Sequence, residues 1–197
     1  MENGQVVVRK RGADRIRRGH LWVYRTDLDD SHKNHVEPGS IVSVRDERGN
    51  LLGKAFYSSK SQITLRFLAR GNVTIDEQFF YQRFDAADRL RHRLVVDPLL
   101  SRRIYSEGDF LPGLIVDRYN DRVVVQSLVQ AADRIQPLIV EIIRQRYQPA
   151  SILFRNDSKV RELEGLELRV ETIGAPVPDS IVVEEDGKQL GLSLTGG

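Results

Sequence analysis

Cationic and aromatic side chains are concentrated in one short segment near the start of the chain. The candidate RNA-binding residues are Lys10, Arg11, Arg15, Arg17, Arg18, His20 and Trp22. Arginine and lysine pair with phosphates, and aromatic rings stack on unpaired bases, so these residue types together favour RNA binding. The alternative is a structural role, in which Trp22, Leu21 and Tyr24 lie in a core and the arginines solubilise a short helix, because tryptophan is usually largely buried.

The charge is distributed unevenly along the chain. The 197 residues include 30 Lys and Arg and 28 Asp and Glu, which gives a formal net charge of +2. Residues 1–25 nevertheless contain seven basic and two acidic residues, whereas residues 155–186 contain four basic and nine acidic ones. A basic segment attracts a polyanion and an acidic segment repels it. The other interpretation is that both segments are solvated faces with many ion pairs.

Composition excludes several classes of protein and site. Hydrophobic residues make up 40% of the chain and charged residues 29%, as in ordinary globular domains rather than collagen or coiled coils. Since no apolar run reaches the roughly 18 residues of a membrane span and no signal peptide is evident, we expect a cytoplasmic protein without a membrane partner. The absence of cysteine excludes disulfides and a cysteine nucleophile from these residues. We expect no metal site, because His32 and His35 lie in a polar loop.

The first 70 or so residues are predicted to be rich in β-structure. Strands are predicted at 5–9, 21–24, 40–46, 51–58 and 62–69. A brief helix is expected between the first two strands, with Asp14 near its start and Gly19 at its end. Several short strands in so few residues favour a small barrel or sandwich.

After residue 71 the pattern changes to mixed α/β. Residues 74–77 have the spacing of a capping box, and a long helix ending near Asp97-Pro98 should follow. A hairpin with strands at 113–118 and 122–129, a second helix at 134–147 and four later strands are also predicted. The later strands are placed at 151–155, 168–172, 181–185 and 188–194. We therefore expect two domains, at 1–71 and 75–197, the second ending in a β-hairpin.

Two further groups of side chains could carry chemistry. Glu107 and Asp109 could form an acid–base pair, although their neighbours favour a structural turn. Arg89, His92 and Arg93 could extend an RNA-binding track along the long helix, or they form its solvated face.

Four separated segments resemble the bacterial large-subunit ribosomal RNA cytosine-5 methyltransferases. The segments are residues 12–24, 55–63, 107–119 and 154–165, in the order of the family. In that family an N-terminal PUA domain precedes a middle α/β domain and a C-terminal Rossmann domain that binds S-adenosylmethionine. The resemblance implies that residues 1–71 form a PUA-like, RNA-binding β-barrel and that residues 75–197 form an α+β middle domain. It also implies S-adenosylmethionine as the methyl donor of the intact protein.

The end of the sequence departs from the family pattern. In the family, the hairpin corresponding to residues 181–194 leads into the methyltransferase domain, whereas this sequence stops at Gly197. We therefore predict a mixed α/β chain from which the C-terminal Rossmann domain is absent, with no catalytic and no cofactor-binding residues. The resemblance also implies a cysteine nucleophile, which this chain lacks. The chain alone should then be inactive and should position ribosomal RNA for methyl transfer.

Two other functions stay open at this point. One is a stand-alone, non-catalytic RNA-binding module that acts in ribosome assembly. The other is a self-association unit whose α/β domain joins subunits, which predicts a homodimer.

Overall fold

The computed structural model describes residues 2–29, 36–178, 180–185 and 188–194, and its strands form three sheets within these ranges. The helices are α1 (Lys10–Arg17), α2 (Glu77–Arg93), α3 (Gln130–Arg134) and α4 (Gln136–Tyr147). In the described ranges no helix combines the length and apolar character needed to cross a membrane.

The first sheet mixes parallel and antiparallel pairing. Its strands are β1 (Glu2–Val8), β2 (Trp22–Tyr24), β3 (Ile41–Asp46), β4 (Leu51–Tyr57) and β5 (Ile63–Arg70), in the order β1-β3-β4-β5-β2. β1 pairs with β3 in parallel, and the other neighbours are antiparallel. A single bridge joins Val8 at the end of β1 to Leu28, four residues after β2. The predicted small barrel or sandwich thus takes the form of a five-stranded sheet with one bridge from β1 to the residue Leu28.

One face of the first sheet carries its own apolar core. Val8, Val44, Leu65 and Phe67 are buried there, and Ile16 of α1 packs among them. Burial of each such side chain contributes about 1.5–3 kcal/mol. The apolar side of α1 is therefore fixed against the sheet, and its charged side chains are left outside.

The second sheet contains β6 (Leu100–Tyr105), β7 (Leu114–Tyr119), β8 (Arg122–Ser127), β9 (Ser151–Asn156) and β10 (Arg169–Gly174), in the order β10-β9-β8-β7-β6. β8 and β9 are parallel, since α3 and α4 connect them, and the other pairs are antiparallel. Helix α2 begins where Asp76 accepts a hydrogen bond from the Phe79 amide at 2.9 Å. Pro137 lies in the first turn of α4, where it removes no intrahelical hydrogen bond.

The third sheet is the predicted terminal hairpin. β11 (Ser180–Glu185) and β12 (Lys188–Ser193) pair in antiparallel register, and the predicted Asp186-Gly187 turn lies outside the described residues. Leu194 after this hairpin is buried against Val124 and Leu153 of the second sheet.

The two large sheets share a second apolar core. Phe56 and Leu68 of the first sheet belong to the same buried cluster as Phe80 and Phe84 of α2 and Phe154 of β9. Because this core is continuous, side chains at the end of β5 and on α2 lie next to one another.

Candidate nucleic-acid interface

Helix α1 presents most of the predicted RNA-binding residues at the surface. Its buried side contains Gly12, Ala13 and Ile16. The exposed or half-exposed residues are Lys10, Arg11, Arg15, Arg17, Arg18, His20 and Trp22. Trp22 is 41% exposed, so it is not a core residue, although its neighbour Val23 is buried.

Two of the predicted cations pair with a buried carboxylate. Asp27 is only 1% exposed, and its two oxygens lie 2.7 Å from Arg11 Nε and 3.3 Å from Arg15 Nη1. The Arg15 guanidinium also lies 5.0 Å from the centre of the Tyr24 ring. These contacts give both arginines a structural task, which is to neutralise Asp27 and to hold α1 beside it.

A third predicted cation pairs with two carboxylates. Arg17 Nη2 lies 2.5 Å from Asp46 Oδ2, and its Nη1 lies 3.3 Å from Asp14 Oδ1. Asp46 also accepts hydrogen bonds from the Asn50 side chain at 3.0 Å, the Asn50 amide at 2.9 Å and the Arg48 amide at 3.0 Å. The Asn50 side chain, and after it the Asn50 amide, Arg17 and the Arg48 amide, lower the pKa of Asp46 from 3.8 to about 2.

Replacing Asp46 by Asn should remove an acid-sensitive part of the stability. A carboxyl whose pKa is lowered on folding stabilises the fold above its ordinary pKa, and this contribution disappears as the pH falls through the folded value. The difference in free energy of unfolding between wild type and Asp46→Asn should therefore be largest above pH 3.8 and should shrink towards about pH 2. Urea unfolding across this range measures it. Asp14→Asn, at the half-exposed carboxylate that Arg17 also contacts, is the control and should lower the free energy of unfolding by much less.

Lys10, Arg18 and His20 are the predicted residues whose side chains make no hydrogen bond or ion pair within the described part of the chain. All three are exposed. The net charge of residues 1–25 therefore overstates the positive charge that is available to a ligand. Asp27 and Asp46, which pair with arginines of this segment, both lie outside residues 1–25.

Trp22 connects β2 to the turn that precedes β7. Its Nε1 donates a hydrogen bond to Glu107 Oε1 at 2.9 Å. Asp109 in the same turn is buried, accepts from Arg91 at 2.5 and 2.6 Å and accepts from the Tyr105 amide at 2.6 Å. These contacts agree with the structural interpretation of the two acidic residues. Arg89, His92 and Arg93 are exposed on α2, which leaves both interpretations of that group open.

A cleft between β5, α2 and the turn before β7 contains cations that the sequence analysis missed. It has a volume of about 400 Å³ and is lined by Leu21, Phe67, Leu68, Ala69, Arg70, Val73, Arg83 and Phe110. Arg70 is exposed, and an ideal Cβ on Gly19 would lie 3.9 Å from its Nη2. The cleft is therefore next to the end of α1, where Arg18 and His20 lie. No local pattern predicts this arrangement, since its residues come from β5, α2 and the turn before β7.

Comparison with known proteins identifies the first sheet. Residues 6–70 match the family model of the PUA-like domain. Over 185 residues the chain is 35% identical to the ribosomal RNA large subunit methyltransferase I of Tolumonas auensis, which covers 91% of this chain and 46% of the relative. It is 34% identical to the Vibrio cholerae protein of the same name, over 95% of this chain and 48% of the relative. The chain thus spans about half the length of the curated relatives it matches.

Two solved structures share the fold. A proposed methyltransferase in complex with SAH superposes with a TM-score of 0.79 over 98% of this chain and 48% of its own, at 18% identity. A proposed SAM-dependent methyltransferase from Streptococcus mutans gives a TM-score of 0.76 over 98% of this chain and 49% of its own.

These structural matches overturn one prediction of fold class. We predicted a protein from which the C-terminal Rossmann domain is absent, and this was wrong. The two solved structures superpose on 98% of this chain, and the superposed part is about half of each of their own chains. The position at which this sequence stops is not a property of the fold. The supported class is a sheet-rich mixed α/β fold of the kind found in those methyltransferases. Residues 6–70 match the PUA-like domain, and the chain as a whole is similar to ribosomal RNA large subunit methyltransferases I over about half of their length.

Proposed function

We propose that this chain is the RNA-binding portion of an S-adenosylmethionine-dependent ribosomal RNA methyltransferase. The observation that carries the proposal is the PUA-like match at residues 6–70 within a chain that resembles ribosomal RNA large subunit methyltransferases I along more than nine-tenths of its length. More specifically, we propose that the methyl group is transferred to carbon 5 of a cytosine, because residues 12–24, 55–63, 107–119 and 154–165 resemble the cytosine-5 methyltransferases. The proposal also includes the division of the chain into two domains, at residues 1–71 and 75–197.

The free cations beside α1 would provide the RNA contacts. Lys10 and Arg18 would pair with phosphates, and His20 and Trp22 would stack on bases that are not paired. Arg11, Arg15 and Arg17 would support this surface by holding α1 to Asp27 and Asp46 while adding to the local positive potential. Helix α2 and the turn before β7 would orient the same RNA, since α2 shares a core with the first sheet and the turn accepts a hydrogen bond from Trp22.

The strand-to-helix turns of the described residues do not fit the Rossmann type of S-adenosylmethionine site. Rossmann cofactor sites use a glycine-rich turn between a strand and the helix that follows it. In the described ranges β1 leads into α1 through Arg9, β5 leads into α2 through residues 71–76 with a single glycine, and β8 leads into α3 through Leu128 and Val129. We therefore assign RNA binding to these residues and derive no methyl-transfer step from them.

The double variant Lys10→Gln and Arg18→Gln should bind ribosomal RNA fragments more weakly and with less dependence on salt. Each lost phosphate contact lowers the slope of log K against log salt by about 0.7 to 0.9, so the pair should lower it by about 1.5. Filter binding at several salt concentrations measures this slope. We choose Arg18 and not Arg17, because replacing Arg17 would also leave the Asp46 carboxylate without its partner.

The matched control is the double variant Arg144→Gln and Lys159→Gln, which removes the same charge from exposed positions in α4 and after β9. It should keep the wild-type slope. Equal slopes for the two double variants would show that α1 is not the RNA-binding surface, and an unmeasurable affinity of the wild type would contradict the proposed function itself.

A further inference from the structure

Arg83 in the cleft is a partly buried cation that pairs with no carboxylate of the described residues. Its Cζ lies 4.7 Å from the centre of the Phe79 ring and 5.1 Å from that of Phe110. Nη2 donates to the Leu68 carbonyl at 2.9 Å, and Nε is buried without a hydrogen bond. Burial lowers the pKa of Arg83, and no acidic group of the described residues opposes this effect.

This arrangement differs from that of the other arginines buried nearby. Arg91, two turns further along α2, pairs with Asp109, and Arg103 of β6 pairs with Asp88. A charge held in apolar surroundings is costly unless an opposite charge compensates it. An anion bound in the cleft would supply to Arg83 the negative charge that Asp109 supplies to Arg91.

Phe110 gives the cleft an aromatic wall. It is 45% exposed, and its backbone has φ = 56°, the left-handed conformation that bulky residues rarely adopt. Such conformations persist where the surrounding structure fixes them, and they are common at ligand sites. Here the buried Arg91–Asp109 pair fixes the turn that carries Phe110. The turn therefore holds an apolar ring open to solvent beside an uncompensated cation.

The cleft also continues the cationic surface of α1. Arg70 lines the cleft and has no ion-pair partner among the described residues, and its guanidinium lies next to Gly19. Arg18 and His20 flank Gly19 in the sequence. An RNA strand bound at the end of α1 would thus pass the mouth of the cleft. The volume of about 400 Å³ is within the range of small-ligand sites.

We propose that the cleft holds one unpaired nucleotide of the RNA bound at α1, with its base against Phe110 and Leu21 and its phosphate between Arg70 and Arg83. This inference rests on the proposed function. It adds a preference for unpaired over duplex RNA, which the cations of α1 do not provide. The bases of a duplex are stacked on one another and cannot enter a cleft, whereas an unpaired base can stack on an aromatic side chain. Single-stranded or looped RNA should therefore bind more tightly than a duplex of the same length.

Two variants separate the contributions of charge and ring. Arg83→Met keeps an unbranched apolar stem and leaves no carboxylate unpaired, so the fold should persist. It should lower the affinity for a fluorescein-labelled oligocytidylate about fivefold to tenfold and reduce the salt slope by about 0.7. Phe110→Leu should lower the same affinity about tenfold, as expected for the loss of one base–aromatic stack, and should leave the salt slope unchanged. Fluorescence anisotropy measures both.

The controls distinguish this inference from the proposed function. Arg144→Met removes one exposed charge from α4 and should match the wild type, and Phe110→Leu should not change the affinity for a fluorescein-labelled RNA duplex. Thermal unfolding of each variant verifies the fold. If the wild type binds the oligocytidylate and both cleft variants bind it equally well, the nucleotide site is refuted while RNA binding stands. If the wild type binds neither RNA, the proposed function fails together with this inference.

Discussion

Replacing Arg91 by Met should lower the free energy of unfolding by about 3–5 kcal/mol, because it leaves a buried carboxylate without its partner. Asp109 accepts both guanidinium hydrogen bonds, at 2.5 and 2.6 Å, and also fixes the Tyr105 amide at 2.6 Å. Arg91 Nε additionally donates to the Arg102 carbonyl at 3.1 Å. The substitution therefore removes the contacts that join α2, β6 and the turn before β7.

Urea unfolding of Arg91→Met is best compared with Arg102→Met. Arg102 makes an equally well-formed pair with Asp117, at 2.8 and 3.0 Å, but at a more exposed position. Loss of this ion pair should lower the free energy of unfolding by at most about 1 kcal/mol. If the two variants lost the same stability, burial of Asp109 would not be the cause. Adding Asp109→Asn to Arg91→Met should recover part of the loss, since no buried charge then remains unpaired.

Replacing Arg66 by Met should also cost about 3–5 kcal/mol, at the junction of the two large sheets. Arg66 Nη2 of β5 lies 3.0 Å from Oε1 of Glu164, which is only 1% exposed and follows β9 in the chain. Arg66 Nη1 also donates to Ser58 Oγ at 3.1 Å and to the Ile63 carbonyl at 2.9 Å. Without this guanidinium the Glu164 carboxylate has no cation partner in the described part of the chain.

A double-mutant cycle measures how much of this loss belongs to the ion pair. Glu164→Gln in the Arg66→Met background should restore a substantial part of the stability, because the buried group is then neutral. Strictly additive losses from the two substitutions would mean that the residues do not interact. Chemical unfolding followed by circular dichroism provides the four free energies.

The elements with strong local signals were predicted close to their observed positions. The capping-box spacing of residues 74–77 and the apolar spacing that follows it predicted α2, which the structure places at Glu77–Arg93 with Asp76 as its N-cap. The hairpin strands β11 and β12 were predicted within one residue at each end. These features depend on neighbours in the sequence, so a single segment contains most of the information that specifies them.

Local pattern did not predict strand β6, the separate helix α3 or the end of α2. β6 contains Arg102 and Arg103, which interrupt its apolar character and are accommodated by Asp117 of β7 and Asp88 of α2. The predicted helix at 134–147 is divided between α3 and α4 at Ile135. In β6, contacts across the fold outweigh the preference of the segment itself.

The sequence by itself determined the succession of a β-rich and an α/β part, the family resemblance and the presence of many cations near α1. Only the tertiary structure decided which of these cations are free. Arg11, Arg15 and Arg17 are paired with Asp27 and Asp46, whereas the side chains of Lys10, Arg18 and the cleft residue Arg83 pair with no carboxylate of the described residues. The physical reason is that the energy of a charge depends on its burial and on opposite charges a few ångströms away, and folding sets these distances between residues that are far apart in the chain.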